Sequence, residues 1–192
     1  MLNKKDFEDM RKEYHQNDGL RENLIKKSRD LLKISKQIIY AVHKNDMQKC
    51  VNYSKKALII LNELKKIIKK SPVLEFSGAF KAGVEEYAEA MIYSGFVRTG
   101  KIISYKSLKI DSELYLMGLA DFTGELVRKA VFLAGKGEVN KVMKIKDLVD
   151  AVYGEMLGFD LRNSDIRRKF DSIKYNLKKL EGLVLDLQIN KR

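Results

Sequence analysis

Apolar residues recur every three to four positions through most of this 192-residue chain, and a single proline, Pro72, is the one residue that forbids a continuing helix. Between 20 and 43, Leu24, Ser28, Leu31, Ile34, Ile38 and Val42 mark one helix face. A break at Lys44 and Asn45 precedes a second face, Val51, Ala57, Leu58, Leu61, Leu64, Ile67 and Ile68, which must end before Pro72. The third stretch, about 74–97, is more apolar, so several of its faces should be covered by other helices or by another subunit. A fourth, about 112–133, runs into Gly135 and Gly137, where a C-terminal cap is expected. A fifth spans about 141–156. In the last, Ile166, Phe170, Ile173, Leu177, Leu180, Val184 and Leu187 keep the helical period for about six turns, with Asn163 or Ser164 as the cap.

Upstream of all these, 4–14 reads as a short charged helix closed by a turn at Asn17, Asp18 and Gly19. No run alternates polar and apolar as a strand would. The expected class is all-α: an antiparallel helical bundle of about six to seven helices. Without Gly/Ser-rich linkers or an internal repeat, a single domain over 1–192 is expected.

Thirty-eight Lys and Arg stand against 26 Asp and Glu, a formal charge of +12 that favours a polyanionic partner. A lysine-rich but functionally neutral surface gives the same balance. Cys50 is the sole cysteine, so no internal disulfide forms, and its place in a helical pattern makes it a small buried hydrophobe rather than a nucleophile. The first residues carry no apolar core of signal-peptide length and no window approaches a membrane span, so a cytoplasmic protein is expected.

Four carboxylates interrupt the most apolar helices: Glu86 and Glu89 in VEEYAEAMIYSGF, and Asp121 and Glu125 in LYLMGLADFTGELV. Between Leu114 and Val127 the last two are the only charges. Spacings of three and four put each pair on one helix face, able to reach a common point between two packed helices. An ionised carboxylate in such a place needs compensation, by a metal, by an internal Arg or Lys, or by water in a groove. A bundle di-iron site is excluded because it needs Glu-x-x-His, and both histidines, His15 and His43, lie far from these acids in sequence. An all-oxygen set suits Mg²⁺ or Mn²⁺. Such a cation beside a basic surface points to phosphodiester chemistry on a nucleic acid. Arg128, three residues after Glu125, falls on nearly the same face and can bind phosphate, whereas Glu85 points away and should be solvated. The last helix carries Arg167, Arg168, Lys169, Lys174, Lys178 and Lys179 opposite its apolar stripe, either a nucleic-acid face or a solvated one. Nine Tyr and eight Phe, with no Trp, show no aromatic stripe on a basic face.

Four stretches resemble the translin and translin-associated factor X family: RENLIKKSRDLLKISKQIIYAVHK from Arg21, VEEYAEAMIYSGFVRTGKIIS from Val84, YLMGLADFTGELVRKAV from Tyr115 and LRNSDIRRKFDSIKYNLKKLEGLVLDL from Leu161. They cover nearly all of the chain from Arg21, in family order. EYAE and ADFTGE resemble the factor X branch, which implies a metal-dependent (Mg²⁺ or Mn²⁺) endoribonuclease with Glu86, Glu89, Asp121 and Glu125 as catalytic and metal-binding acids. RRKFDSIKYNLKKLE instead resembles the translin branch, associated with nucleic-acid binding and assembly. The mixture implies an archaeal-type, single-gene member. The resemblance further implies about seven helices and a homo-oligomeric shell, an octamer, that encloses RNA, and single-stranded DNA more weakly; compatible with it, Arg128, Arg167, Arg168, Lys169 and Lys174 are the candidate nucleic-acid contacts by their place on the helix faces. The alternative is a non-catalytic, translin-like RNA- and DNA-binding protein.

Overall fold

The computed structural model describes residues 2–162 and 165–189, and every regular element among them is helical, in accord with the expected all-α class. In chain order these are α1 (Lys4–His43), α2 (Met47–Lys70), a 3-10 turn (Pro72–Phe76), α3 (Gly78–Thr99), the single turn α4 (Tyr105–Leu108), α5 (Ser112–Ala134), α6 (Val139–Leu157) and α7 (Asp165–Ile189). The chain divides into two compact units, Met1–Tyr87 and Ala88–Arg192, with the dividing line inside α3.

In the first unit α1, from Leu24 onward, pairs with α2 through Leu24, Leu31, Ile38, Ala57, Leu61 and Leu64, all essentially inaccessible to solvent. Burying each such side chain is worth about 1.5–3 kcal/mol, which is what holds two long lysine-rich helices together. The expected turn at Asn17 to Gly19 does not form; α1 runs through it. A mid-helix glycine costs only about 1 kcal/mol, and Asn17 is tied down by the Ser71 hydroxyl, which donates to its side-chain oxygen at 3.1 Å. The break after His43 is where the sequence puts it, with Asn45 at φ 56° and Asp46 capping α2 by accepting from the Lys49 amide at 3.0 Å. Leu58, expected on the inner face, is exposed.

Pro72 ends α2 as anticipated, but residues 72–76 coil into the 3-10 turn and delay α3 to Gly78. Gly83 then lets α3 approach α1: a Cβ there would lie 2.8 Å from the Ser28 carbonyl oxygen, a backbone atom that cannot swing aside.

In the second unit α5, α6 and α7 pack on one another around Phe122, Leu126, Ala130, Val142, Val149, Phe170, Ile173 and Leu180. Tyr153 stacks on Phe170 with ring centroids 5.2 Å apart. The end of α3 joins them through Phe122, which meets Phe96 edge-on at 5.6 Å and Tyr93 at 6.3 Å. Asp111 caps α5 through the amides of Glu113 and Leu114. Gly137, at φ 73°, makes the turn into α6, which starts two residues earlier than the sequence suggested. The anticipated cap of α7 at Asn163 or Ser164 lies outside the described residues. Beyond Leu180 the α7 stripe is only half-covered at Val184 and Leu187, and Leu185 and Ile189 are exposed.

Candidate functional site

Helix α3 carries Glu86 and Glu89 on one turn, and α5 carries Asp121 and Glu125 on another. Glu89 is buried, at 9% exposure, one turn before the Tyr93 ring that meets Phe122, the neighbour of Asp121. Glu86 belongs to the first unit, mostly buried, with the Lys36 ammonium of α1 at 4.0 Å. Glu85, expected in solvent, is half-buried.

Asp121 is held most closely. The Lys169 ammonium of α7 donates to its Oδ2 at 2.6 Å, with side chains only 26% and 32% exposed for the aspartate and the lysine. The α5–α7 register that allows this is set by Thr123, whose buried hydroxyl donates to the Ala120 carbonyl at 2.7 Å and accepts from the Asn176 amide at 2.9 Å. Asn176 lies seven residues, two turns, after Lys169, so fixing one fixes the other. Glu125 is mostly buried and lies 3.8 Å from Arg128, whose guanidinium is exposed. Burial pushes the Tyr93 phenol well above its ordinary pKa; the Glu125 carboxylate adds to the rise and Arg128 opposes it. Tyr93 therefore stays protonated at neutral pH and cannot serve as a base.

The donor chemistry suits a hard divalent cation, since the acids of α3 and α5 offer only oxygen. Among the described residues, however, no group of three or more His, Cys, Asp or Glu side chains is gathered as a ready metal cage. Asp121 and Glu125 each have a cation of this chain beside them, so a metal bound there must displace or share those partners.

The basic residues divide. Arg167 pairs with Asp171 at 3.5 Å and lies over the Phe170 ring, and Arg168 pairs with Asp165; both are exposed, as is Lys174. Lys169 instead turns inward. Its spacing held the signal: it lies three residues after Ile166 and four before Ile173, on the buried row. Lys36 and Asn176 carried no comparable mark.

The Translin family model matches residues 19–191. The chain belongs to the translin family. An uncharacterized protein of Methanocaldococcus jannaschii is 28% identical over 168 residues, covering 86% of this chain and 75% of that one. Translin-associated protein X of Rattus norvegicus is 25% identical over 214 residues, covering 88% and 72%. Among solved structures, apo-NeC3PO superposes on this translin-family chain with a TM-score of 0.88 at 25% identity, covering 97% of this chain and 98% of that one. The complex of AfC3PO with duplex RNA gives a TM-score of 0.87 at 20% identity, covering 96% and 97%, a likeness of fold. Among the described residues no helix is long and apolar enough to cross a membrane.

Proposed function

We propose that this translin-family chain binds RNA, and single-stranded DNA more weakly, and cuts RNA by Mg²⁺- or Mn²⁺-dependent phosphodiester hydrolysis within a homo-oligomer. The observation that carries the reading is the set Glu89, Asp121 and Glu125, acids sunk in apolar stretches of two helices, one of them held to a lysine at 2.6 Å. Protein X of the rat, which shares this family, and AfC3PO, captured with duplex RNA, support it.

Glu89, Asp121 and Glu125 are the residues that would hold the cation. When bound, such an ion polarises a phosphate and lowers the pKa of a water. Asp121 would exchange Lys169 for the cation, and the ammonium would then lie close enough to the site to meet a phosphate. Arg128, at the rim, gives a planar fork for the adjacent phosphate, and a carboxylate of the set accepts the proton of the attacking water.

A labelled single-stranded RNA incubated with the purified protein, with and without Mg²⁺, tests this. Metal-dependent product that disappears in Asp121→Ala and Glu89→Ala is expected; full cleavage by either variant, freed of contaminating nuclease, overturns the role of these acids. A second reading, a non-catalytic binder, is favoured by the basic partners already beside Glu86, Asp121 and Glu125. It requires that chelation leave RNA binding unchanged and that no product form.

A further inference from the structure

The segment between α3 and α5 and the one after α6 are brought together with the start of α5 around a cleft of about 710 Å³. Its walls include Tyr105 of α4, Glu113 and Tyr115 of α5, and Phe159, Asp160 and Arg162 beyond α6. These rings share no helical period, which is why the sequence shows no aromatic stripe. Tyr115 is a fixed wall: its hydroxyl donates to the Ile103 carbonyl at 2.7 Å, and its ring lies 6.1 Å from that of Tyr105. Tyr105 and Phe159 are 41% and 50% exposed, two large rings that line the cleft and remain accessible to solvent. The Lys106 ammonium lies 6.0 Å over the Tyr105 ring.

We propose that this cleft takes one nucleobase of a bound RNA strand, preferring a base that carries an exocyclic amino group. The volume is in the range of small-ligand sites, and flat aromatic faces stack on any base. The Glu113 and Asp160 carboxylates repel phosphate, so the backbone stays at the rim with Lys106 and Arg162 while the base points inward. The same carboxylates only accept, matching the amino group of adenine or cytosine and repelling the O4 carbonyl that uracil places where cytosine has that amino group. A purely apolar ligand would strand both carboxylates. The proposal rests on the reading of this chain as an RNA binder, and adds where a base is held.

The test is fluorescence anisotropy with labelled oligoadenylate and oligouridylate of equal length, on the full chain. Tyr105→Ala and Phe159→Ala should each weaken oligoadenylate binding about tenfold with the salt dependence unchanged, because base stacking is removed while the phosphates keep all their cations. Tyr105→Phe keeps the ring and should bind as wild type, and melting curves check that the alanine variants fold. Glu113→Gln with Asp160→Asn should reduce the preference for adenine over uracil. Alanine variants that fold and bind as tightly as wild type overturn the cleft's role and leave RNA binding standing. The same affinities with a lower mass by light scattering would show instead that a second copy of the chain covers these rings, which also overturns it. If the wild-type protein binds neither oligonucleotide, RNA binding itself fails, and the cleft proposal with it.

Discussion

Helices α2 and α5 are nearly equal in length, and they handle charge in opposite ways. On α2 the lysines, Lys55, Lys56, Lys66, Lys69 and Lys70 among them, face water while Ala57, Leu61, Leu64 and Ile67 are buried. On α5, between Leu114 and Val127, the only charges are Asp121 and Glu125, and both are sunk toward neighbouring helices with cations beside them. Solvated lysines cost a fold almost nothing and say little about what it does. Half-buried carboxylates forgo most of their hydration, and a fold that needed only stability would do as well with apolar residues of similar size. That contrast is the physical reason to look for function on α5 and not on α2.

The contrast is broken most directly by activity. Asp121→Ala or Glu89→Ala should abolish metal-dependent RNA cleavage, a fall of at least about a hundredfold, with light-scattering mass unchanged. Lys55→Ser with Lys56→Ser on α2, two residues remote from these acids in sequence and exposed, should leave the cleavage rate within about twofold. Loss of cleavage in the α2 variant, or its persistence in the α5 variants, would erase the distinction between the two helices.

The next largest effect concerns Lys169. Its removal in Lys169→Met leaves Asp121 half-buried without its ammonium partner and should destabilise the protein by about 1–2 kcal/mol, discounted from the cost of breaking a fully buried pair because both groups keep some exposure. For a chain of this size that is a fall in Tm of roughly 2–8 °C. Asp121→Asn in chelator should also lower Tm by a few degrees, since the neutral amide no longer attracts Lys169. A rise in Tm would mean instead that repulsion among the acids outweighs the ion pair, the behaviour of a site built chiefly around a metal. In Lys169→Met, Mg²⁺ should raise Tm by more than it does in wild type, because a cation no longer competes with the ammonium.

Much of this architecture is legible from periodicity, and what is not has identifiable causes. The breaks at Asn45 and Pro72 are local events: a left-handed residue and a missing amide. The continuity of α1 through Gly19 is not local, because it draws on Ser71, 54 residues after Asn17. The acids could be read as candidates because charge is rare on apolar helices. Their partners could not: Asp121 meets Lys169 across 48 residues through a register set by Thr123 and Asn176, and no spacing within one helix encodes that. Tyr105 with Phe159 in the cleft were hidden for the same reason, whereas the place of Lys169 on the inner row of α7 was written in its spacing. The hidden pairings are tertiary coincidences of separate segments.

The α7 surface offers a graded version of the same comparison. Arg167 and Arg168 are exposed and paired within their own helix, where ion pairs are worth well under 1 kcal/mol. Neutralising Arg168 and Lys174 together, as glutamines, should therefore leave Tm within about 1 °C. If that face meets the nucleic-acid backbone, the slope of log affinity against log salt should shrink by about one to two, roughly one for each phosphate no longer neutralised. An unchanged slope would assign the face to solvent.

The smallest expected effect is alkaline. Burial raises the Tyr87 phenol to about 12, while in the unfolded chain it titrates near 10. Below pH 10 both states hold the proton and stability is unaffected. Between about 10 and 12 the unfolded state loses its proton first, so it binds fewer protons than the native state and stability falls as pH rises, until the native phenol also ionises. Tyr93 behaves likewise in the second unit, its phenol raised chiefly by burial. Tyr87→Phe should therefore flatten the loss of stability above pH 10, measured as denaturant midpoint against pH, while leaving the curve below pH 9 shifted but parallel. A Tyr87→Phe profile as steep as wild type above pH 10 would mean that Tyr87 does not set the alkaline loss, and would move the pH sensitivity to the other buried phenols, Tyr93 and Tyr115.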